Sequence, residues 1–299
     1  MRFLSLGEAM VELSPAGEGT FRQGFAGDTL NTAWYARAAL GAGVGYATVL
    51  GTDVLSDAMA EFIAGAGIDT TAIRRDPARS VGLYMISLKD GERSFTYWRG
   101  QSAARTLADD PAWLAQVLQG PEMIYLSGIT LAILTPVARE TLLAALATAR
   151  AGGARIAFDP NLRPRLWSST EEMLAAIMQA ARVCDLALPS FEDEAIAFGD
   201  ASLAATAERY ARAGVTEVMV KNGGGAMLGW QDGEVTPIDP GAPLTPVDTT
   251  GAGDSFNGSY LAARLSGAPL SDAARAGHAT AARVITHPGA LMPMELLRG

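Results

Sequence analysis

Apolar and polar positions along the chain alternate between two periods. Short continuous apolar runs cover 44–50, 123–127, 155–158, 184–188, 216–220 and 226–230, and each reads as a buried strand. Between several of them lie longer stretches with apolar residues at helical spacing: 54–66, 136–151, 252–265 and 270–285. The first carries Gly51-Thr52-Asp53 as a start signal, and Asp109-Asp110-Pro111 opens another helix by the same cap and first-turn proline logic. Arg2 to Leu13 reads as a strand that breaks at Gly7-Glu8 and continues as a second extended piece. The alternation predicts an α/β architecture with a central, mostly parallel sheet in a single domain spanning 1–299.

One block interrupts this pattern. Residues 81–88 and 93–99 are both strand-like and flank Lys89-Asp90-Gly91-Glu92, where Asp-Gly signals a two-residue hairpin turn. Counting outward pairs Lys89 with Glu92, Ile86 with Phe95 and Tyr84 with Tyr97. Side chains alternate along a strand, so Tyr84, Tyr97 and Arg99 share one face. A cross-strand aromatic pair explains the two tyrosines as hairpin stabilisers. The alternative is a lid whose inner face grips a carboxylated ligand, with Arg99 on the carboxylate.

Composition narrows the class. Of 299 residues, 49% are apolar and 18% charged, which fits a folded globular chain. A net charge of −9 argues against nucleic-acid or anionic-membrane binding. The only lysines, Lys89 and Lys221, do not follow glycine, so no P-loop ending exists. One cysteine rules out a disulfide framework, and two histidines rule out a multi-histidine metal site. No apolar run approaches membrane-span length and the chain opens on a strand-like segment rather than a signal peptide, so the expected location is the cytoplasm.

The chemistry concentrates in Val247-Asp248-Thr249-Thr250-Gly251-Ala252-Gly253-Asp254. Val247 ends an extended piece, the threonines offer caps, and Phe256, Tyr260 and Ala263 recur at helical spacing, so a helix starts near Ala252. Its first turn has amides without intrahelical partners and a positive dipole end, and glycines admit an anion to the bare backbone. Asp254, in the same turn, can take a proton from a hydroxyl that attacks a phosphate held there. Earlier in the chain, Gly27-Asp28-Thr29-Leu30-Asn31 opens a helix, with Asp28 and Thr29 as candidate caps; Asp28 and Asn31 also have the acceptor and donor set that hydroxyls need. Arg163 and Arg165 follow the 155–158 strand in an acidic chain and look like an anion patch. Asp193 and Glu194 suit a helix start as well as a metal. The glycine-rich turn Lys221-Asn222-Gly223-Gly224-Gly225 needs no ligand to explain it.

The run D-T-T-G-A-G-D at 248–254 resembles the signature of the ribokinase-like (PfkB) carbohydrate kinases. The opening G-E-x-x-x-E, the G-D-T-L-N at 27–31, the D-P-N-x-R-x-x-L-W at 159–167 and the V-K-x-G-x-x-G-like turn at 220–225 are similar to further elements of that family, so the resemblance covers essentially the whole chain. It implies a three-layer α/β fold with a β-lid from about 12–30 and 78–102. It implies ATP as phosphoryl donor with magnesium, Asp254 as base, and Gly251, Ala252 and Gly253 as the anion hole. Gly27, Asp28, Asn31, Tyr84, Tyr97, Arg99, Ile129 and Arg163 would hold the acceptor. Ser190, Lys221, Asn222, Gly223, Gly225, Gly251, Gly253, Ala282 and Gly289 would line the nucleotide, and Asp193 and Glu194 would reach magnesium through water. Most of the family has N-x-x-E where this chain has Ser190 and Asp193, which leaves the metal residues open. A monovalent cation and self-association through the lid also belong to this implication.

G-D-T-L-N and the tyrosine–arginine hairpin are similar to the branch that phosphorylates O6 of 2-keto-3-deoxygluconate, a small sugar acid. The competing readings are a fructokinase or other neutral-sugar kinase, and a catalytically silent sugar-binding regulator. The second would be expected to lose the base or the glycines, and this chain keeps both. A dinucleotide-binding dehydrogenase is disfavoured because Gly7 is followed by Glu8-Ala9 rather than G-x-G-x-x-G.

Overall fold

The computed structural model describes residues 1–17, 19–89, 92–241 and 244–297. Its strands are β1 (Phe3–Leu6), β2 (Met10–Gly17), β3 (Thr20–Ala26), β4 (Val44–Leu50), β5 (Ile73–Arg75), β6 (Gly82–Lys89), β7 (Glu92–Trp98), β8 (Met123–Ser127), β9 (Arg155–Asp159), β10 (Leu186–Ala187), β11 (Glu217–Val220), β12 (Met227–Gln231) and β13 (Glu234–Ile238). Nine form one sheet in the order β13-β12-β11-β10-β9-β8-β1-β4-β5. Its pairings are parallel except at β11–β12 and β12–β13. β1, β4 and β8 are buried along their whole length, as expected of parallel strands covered on both faces. Helices form the two outer layers, and an apolar core lies between each layer and the sheet.

The other four strands make a separate small sheet, β3-β2-β6-β7, in which β2–β6 is parallel and the two outer pairs are antiparallel. The hairpin register is the counted one, with Lys89 opposite Glu92, Ile86 opposite Phe95 and Tyr84 opposite Tyr97. The Asp90-Gly91 turn itself lies outside the described residues. Among the described residues no helix is long and apolar enough to cross a membrane.

After β8 the chain turns at once into a helix (Gly128–Ile133), with Ser127 as its cap and Thr130 N 3.4 Å from Oγ. Two local expectations are corrected. Residues 244–247 form no strand, and Val247 is exposed. Neither Thr249 nor Thr250 caps the helix Ala252–Leu265; Gly251 occupies the cap position, and Thr250 instead donates to Asp248 Oδ1 at 2.7 Å.

That helix is central to the packing. Phe256 and Tyr260 stack at 5.8 Å, one turn apart, and both are buried. Gly258 lets it lie directly on the helix Asp28–Leu40, since a Cβ there would come within 2.5 Å of the Thr32 carbonyl oxygen. Its far end is tied to the sheet by Glu217, which is 2% exposed and accepts from Tyr260 Oη (2.6 Å) and from Arg264 Nε (2.8 Å) and Nη2 (2.6 Å). Removing this carboxylate would strand a largely buried guanidinium. Glu217→Ala is expected to destabilise the fold by about 3–5 kcal/mol, read as a lower urea midpoint with an unchanged slope.

Candidate active site

In an open α/β sheet, ligands gather at the carboxyl ends of the strands. Here β1, β8, β9 and β11 end in Gly7-Glu8, Ser127, Asp159 and Lys221, and two helices begin against that rim. The helix Asp28–Leu40 has Gly27 as its N-cap with no side-chain cap bond, so neither Asp28 nor Thr29 is used as a cap. Asp28 is free to face the rim, where its Oδ2 accepts from Asn161 Nδ2 at 2.7 Å. Three residues further on, Asn31 Nδ2 donates to Asp254 Oδ2 at 2.8 Å. The two helix starts are thereby joined across 223 residues of chain.

The second start is shaped for an anion. Gly251 has φ +77°, and no side chain caps the turn that follows. The Ala252 amide closes a turn onto Thr249 O at 3.2 Å, so of the three expected hole residues it is the one whose N–H is engaged. Gly251, Gly253 and Asp254 line a cavity of about 210 Å³ together with Asp159, Asn161, Arg163, Ser190, Asp193 and Lys221. Beneath it lies a polar network with every member paired. Lys221 Nζ donates to Asp159 Oδ2 (2.8 Å) and Asn257 Oδ1 (3.1 Å), while Asn257 Nδ2 donates to Asp159 Oδ2 (2.6 Å) and to Tyr125 Oη (3.2 Å). Asn161 is held at φ +35°, rare for a residue with a side chain, by its N–H bond to Asp159 Oδ1 at 3.0 Å.

Electrostatics single out the carboxylate at the helix start. Burial, reinforced by the neighbouring charge of Asp28, pushes the Asp254 carboxyl up to about 7, despite the hydrogen bond from Asn31 and the nearby Lys221 ammonium. Burial also raises Asp28, though Ser127 and Asn161 stabilise its charged form. Asp193 is raised by burial and partly offset by Arg163, whose Nη1 lies 3.9 Å from Asp193 Oδ2.

The small sheet carries two acid–donor pairs, one within it between β2 and β6 and one that joins it to the end of β1. Tyr84 is buried and its hydroxyl donates to Glu12 Oε2; Arg99, just after β7, gives Nη2 to Glu8 Oε2. Tyr97 shares the Tyr84 face with ring centroids 5.9 Å apart, but it is half exposed. Arg99 is therefore already paired with a carboxylate, and the partners Glu8, Glu12 and Asn257, with the cavity-lining Asp159 and Asn161, had no role assigned from sequence.

Other expected residues lie elsewhere. Glu194 is fully buried and turns away from the cavity, accepting from Arg209 Nη2 (2.6 Å) and Tyr210 Oη (3.1 Å), so it is not placed to reach a metal there. Ile129 packs against the core from its helix and does not line the cavity. Gly223 and Gly225 sit in a turn in which Asn222 Nδ2 donates to Ala226 O at 3.1 Å. Ala282 is on the helix Leu270–Val284, and the Gly289 N–H donates to Asp248 Oδ2 at 2.6 Å beside a second groove. Among the described residues no cluster of three or more His, Cys, Asp or Glu side chains could hold a metal by itself.

A buried, proton-hungry acid beside an uncapped helix start is the equipment of a phosphotransferase acting on a hydroxyl. Comparison with known proteins agrees, and the chain belongs to the pfkB family of carbohydrate kinases, whose model matches residues 2–296. It is 42% identical to the 2-dehydro-3-deoxygluconokinase of Escherichia coli (strain K12) over 303 residues, covering 98% of this chain and 97% of that protein. It is 31% identical to a fructokinase of Klebsiella pneumoniae, covering 86% of this chain and 82% of that one. Among solved structures, a Vibrio cholerae O395 fructokinase double mutant in fructose-, ADP- and potassium-bound form superposes with a TM-score of 0.85 at 26% identity, covering 98% of this chain and 94% of that one.

Proposed function

We propose that this carbohydrate kinase transfers the γ-phosphoryl group of ATP to O6 of 2-keto-3-deoxygluconate (2-dehydro-3-deoxygluconate). The reading over a neutral sugar is carried by one observation: the similarity to a 2-dehydro-3-deoxygluconokinase runs at 42% over 98% of the chain, against 31% over 86% for a fructokinase. A guanidinium at the sugar end (Arg99) and another at the cavity (Arg163) are consistent with an acid as ligand.

In this account Asp254 accepts the O6 proton as that oxygen attacks the γ-phosphorus and the bond to ADP breaks. The open amides of Gly251 and Gly253 take the charge that develops on the phosphoryl oxygens, and Lys221 lies beneath them. Asp28 and Asn31 orient the hydroxyls, while Tyr84, Tyr97 and Arg99 close over the sugar from the small sheet as a lid. Ser190, Asn222, Gly223, Gly225, Ala282 and Gly289 border the nucleotide. Magnesium would supply charge neutralisation between the phosphates, and the residues present fit it. Of the three carboxylates lining the cavity, Asp159 is engaged by Lys221 and Asn257 and Asp254 is the base, so Asp193 would reach the ion, which suits a cation that keeps most of its waters and is held chiefly by phosphates. The exposed aromatics Phe21, Phe95, Tyr97 and Trp98 on the small sheet support self-association through that sheet.

The pH profile follows from the base. A carboxyl raised to about 7 is protonated, and unable to accept, below that pH. Turnover is therefore expected to fall about tenfold per pH unit on the acid side and to level off above neutrality. A profile flat from pH 5 to 8 would remove the proton-accepting role from Asp254. The reaction itself is tested by incubating the protein with ATP, magnesium and 2-keto-3-deoxygluconate and locating the phosphate by ³¹P–¹H NMR. The expected product carries it on the primary carbon, and a phosphate elsewhere, or none, overturns the proposal.

A further inference from the structure

Glu8 occupies the break between β1 and β2 and is 2% exposed. Its only side-chain partner among the described residues is Arg99, whose side chain is itself 10% exposed. The pair thus spans the joint between the large and the small sheet, 91 residues apart in sequence. Gly82, the first residue of β6, closes over it, since a Cβ there would stand 2.9 Å from Glu8 Oε1 and 3.3 Å from Arg99 Cβ. Two buried atoms of the pair, Glu8 Oε1 and Arg99 Nε, have no hydrogen-bond partner among the described residues. A buried ion pair left half satisfied is a poor source of stability, because apolar groups of similar volume usually serve as well. Its retention points to a task in orientation.

The alternatives open to Arg99 define that task. Asp28 also lies within electrostatic reach of the guanidinium. Without Glu8, that attraction would draw Arg99 toward Asp28, removing at once a hydroxyl acceptor and a carboxylate reader. With Glu8 holding Nη2, the planar fork has a fixed direction, and its Nη1 group can meet a ligand carboxylate without first losing side-chain freedom. Glu8 also repels an incoming carboxylate, but its charge is already compensated by Arg99, so orientation outweighs repulsion.

We propose that Glu8 is a positioning residue for sugar-acid recognition, holding Arg99 by one nitrogen so that the guanidinium faces the ligand carboxylate instead of Asp28. The proposal rests on the sugar-acid reading above. Its test is a double-mutant cycle in steady-state kinetics with 2-keto-3-deoxygluconate and ATP. Glu8→Gln keeps the shape and removes the charge; it is expected to raise the sugar KM by about tenfold or more, with kcat and the ATP KM within about threefold. In an Arg99→Ala background the same change should have almost no further effect. An unchanged or lowered KM in Glu8→Gln overturns the proposal, and so does an equal rise in the Arg99→Ala background, which would mark Glu8 as a general support of the fold. Should Glu8→Gln fail to fold, Glu8→Asp, which keeps the charge but shortens the reach by one methylene, must raise the same KM. If Arg99→Ala alone leaves the sugar KM unchanged, the carboxylate reading of Arg99 fails and carries this proposal with it. If Arg99→Ala raises the KM and neither Glu8 variant does, this proposal alone fails.

Discussion

Asp254→Asn is expected to lower kcat by about 10²–10⁴ while nucleotide and sugar still bind. The substitution is close to isosteric, and an amide oxygen at the Oδ2 position can keep the 2.8 Å bond from Asn31. What disappears is the basic lone pair that receives the hydroxyl proton. The loss is expected in the chemical step, so single-turnover rates should fall in parallel with kcat while nucleotide affinity by calorimetry stays within a few-fold. Removing a buried carboxylate that sits beside Asp28 also relieves like-charge repulsion, so the variant should fold at least as stably as the parent. Near-normal turnover would move the proton acceptor elsewhere, with Asp28, whose charge acts on Asp254, as the first candidate.

Gly251→Ala should be the second most damaging change, through the backbone rather than through chemistry. Gly251 sits at φ +77°, where a Cβ costs about 1–2 kcal/mol even with free space. Space is lacking as well, because that Cβ would stand 2.8 Å from the Ala290 carbonyl oxygen and 3.0 Å from its Cα. Ala290 cannot easily retreat, since the same carbonyl accepts from the buried Tyr35 hydroxyl at 2.6 Å. The first turn of the helix Ala252–Leu265 must therefore shift, carrying the Gly253 amide and Asp254 out of register. A loss of one aligned donor is worth about 10²–10³ in kcat, and a fall of that size with a near-parental far-ultraviolet spectrum is expected. If kcat stays within threefold, the amides of this turn are not where phosphoryl charge is stabilised.

Much of this arrangement is legible in local sequence. The helix after the D-T-T-G-A-G-D run begins at Ala252 and ends at Leu265, because glycines, an acid and an apolar period of 3.6 all act within a few residues. The 82–98 hairpin register follows from counting out of Asp-Gly, since a two-residue turn fixes every later pair. What escaped local reading is mostly partner choice over distance. Glu8 meets Arg99 and Glu12 meets Tyr84 across 91 and 72 residues, and Asn257 meets Asp159 across 98. No spacing within a strand or helix announces such pairs. Helix rotation explains another miss. Asp193 and Glu194 are adjacent in sequence but about 100° apart around the helix axis, so Asp193 faces the cavity while Glu194 enters the core and meets Arg209. The threonine caps failed by position, because Gly251 takes the cap place and Thr250 stands one residue before it, where its hydroxyl donates to Asp248 Oδ1.

The central claim is that this kinase is built for a sugar acid rather than a neutral sugar. It is tested most directly by kcat/KM for 2-keto-3-deoxygluconate and for fructose, measured as ADP release under identical conditions with saturating ATP and magnesium. The account predicts a preference of about 10³-fold or more for the acid, since a site built around a charged, hydrogen-bonded group rejects an analogue that lacks it. Comparable values for the two sugars, or a preference for fructose, would contradict it while leaving Asp254 as the base.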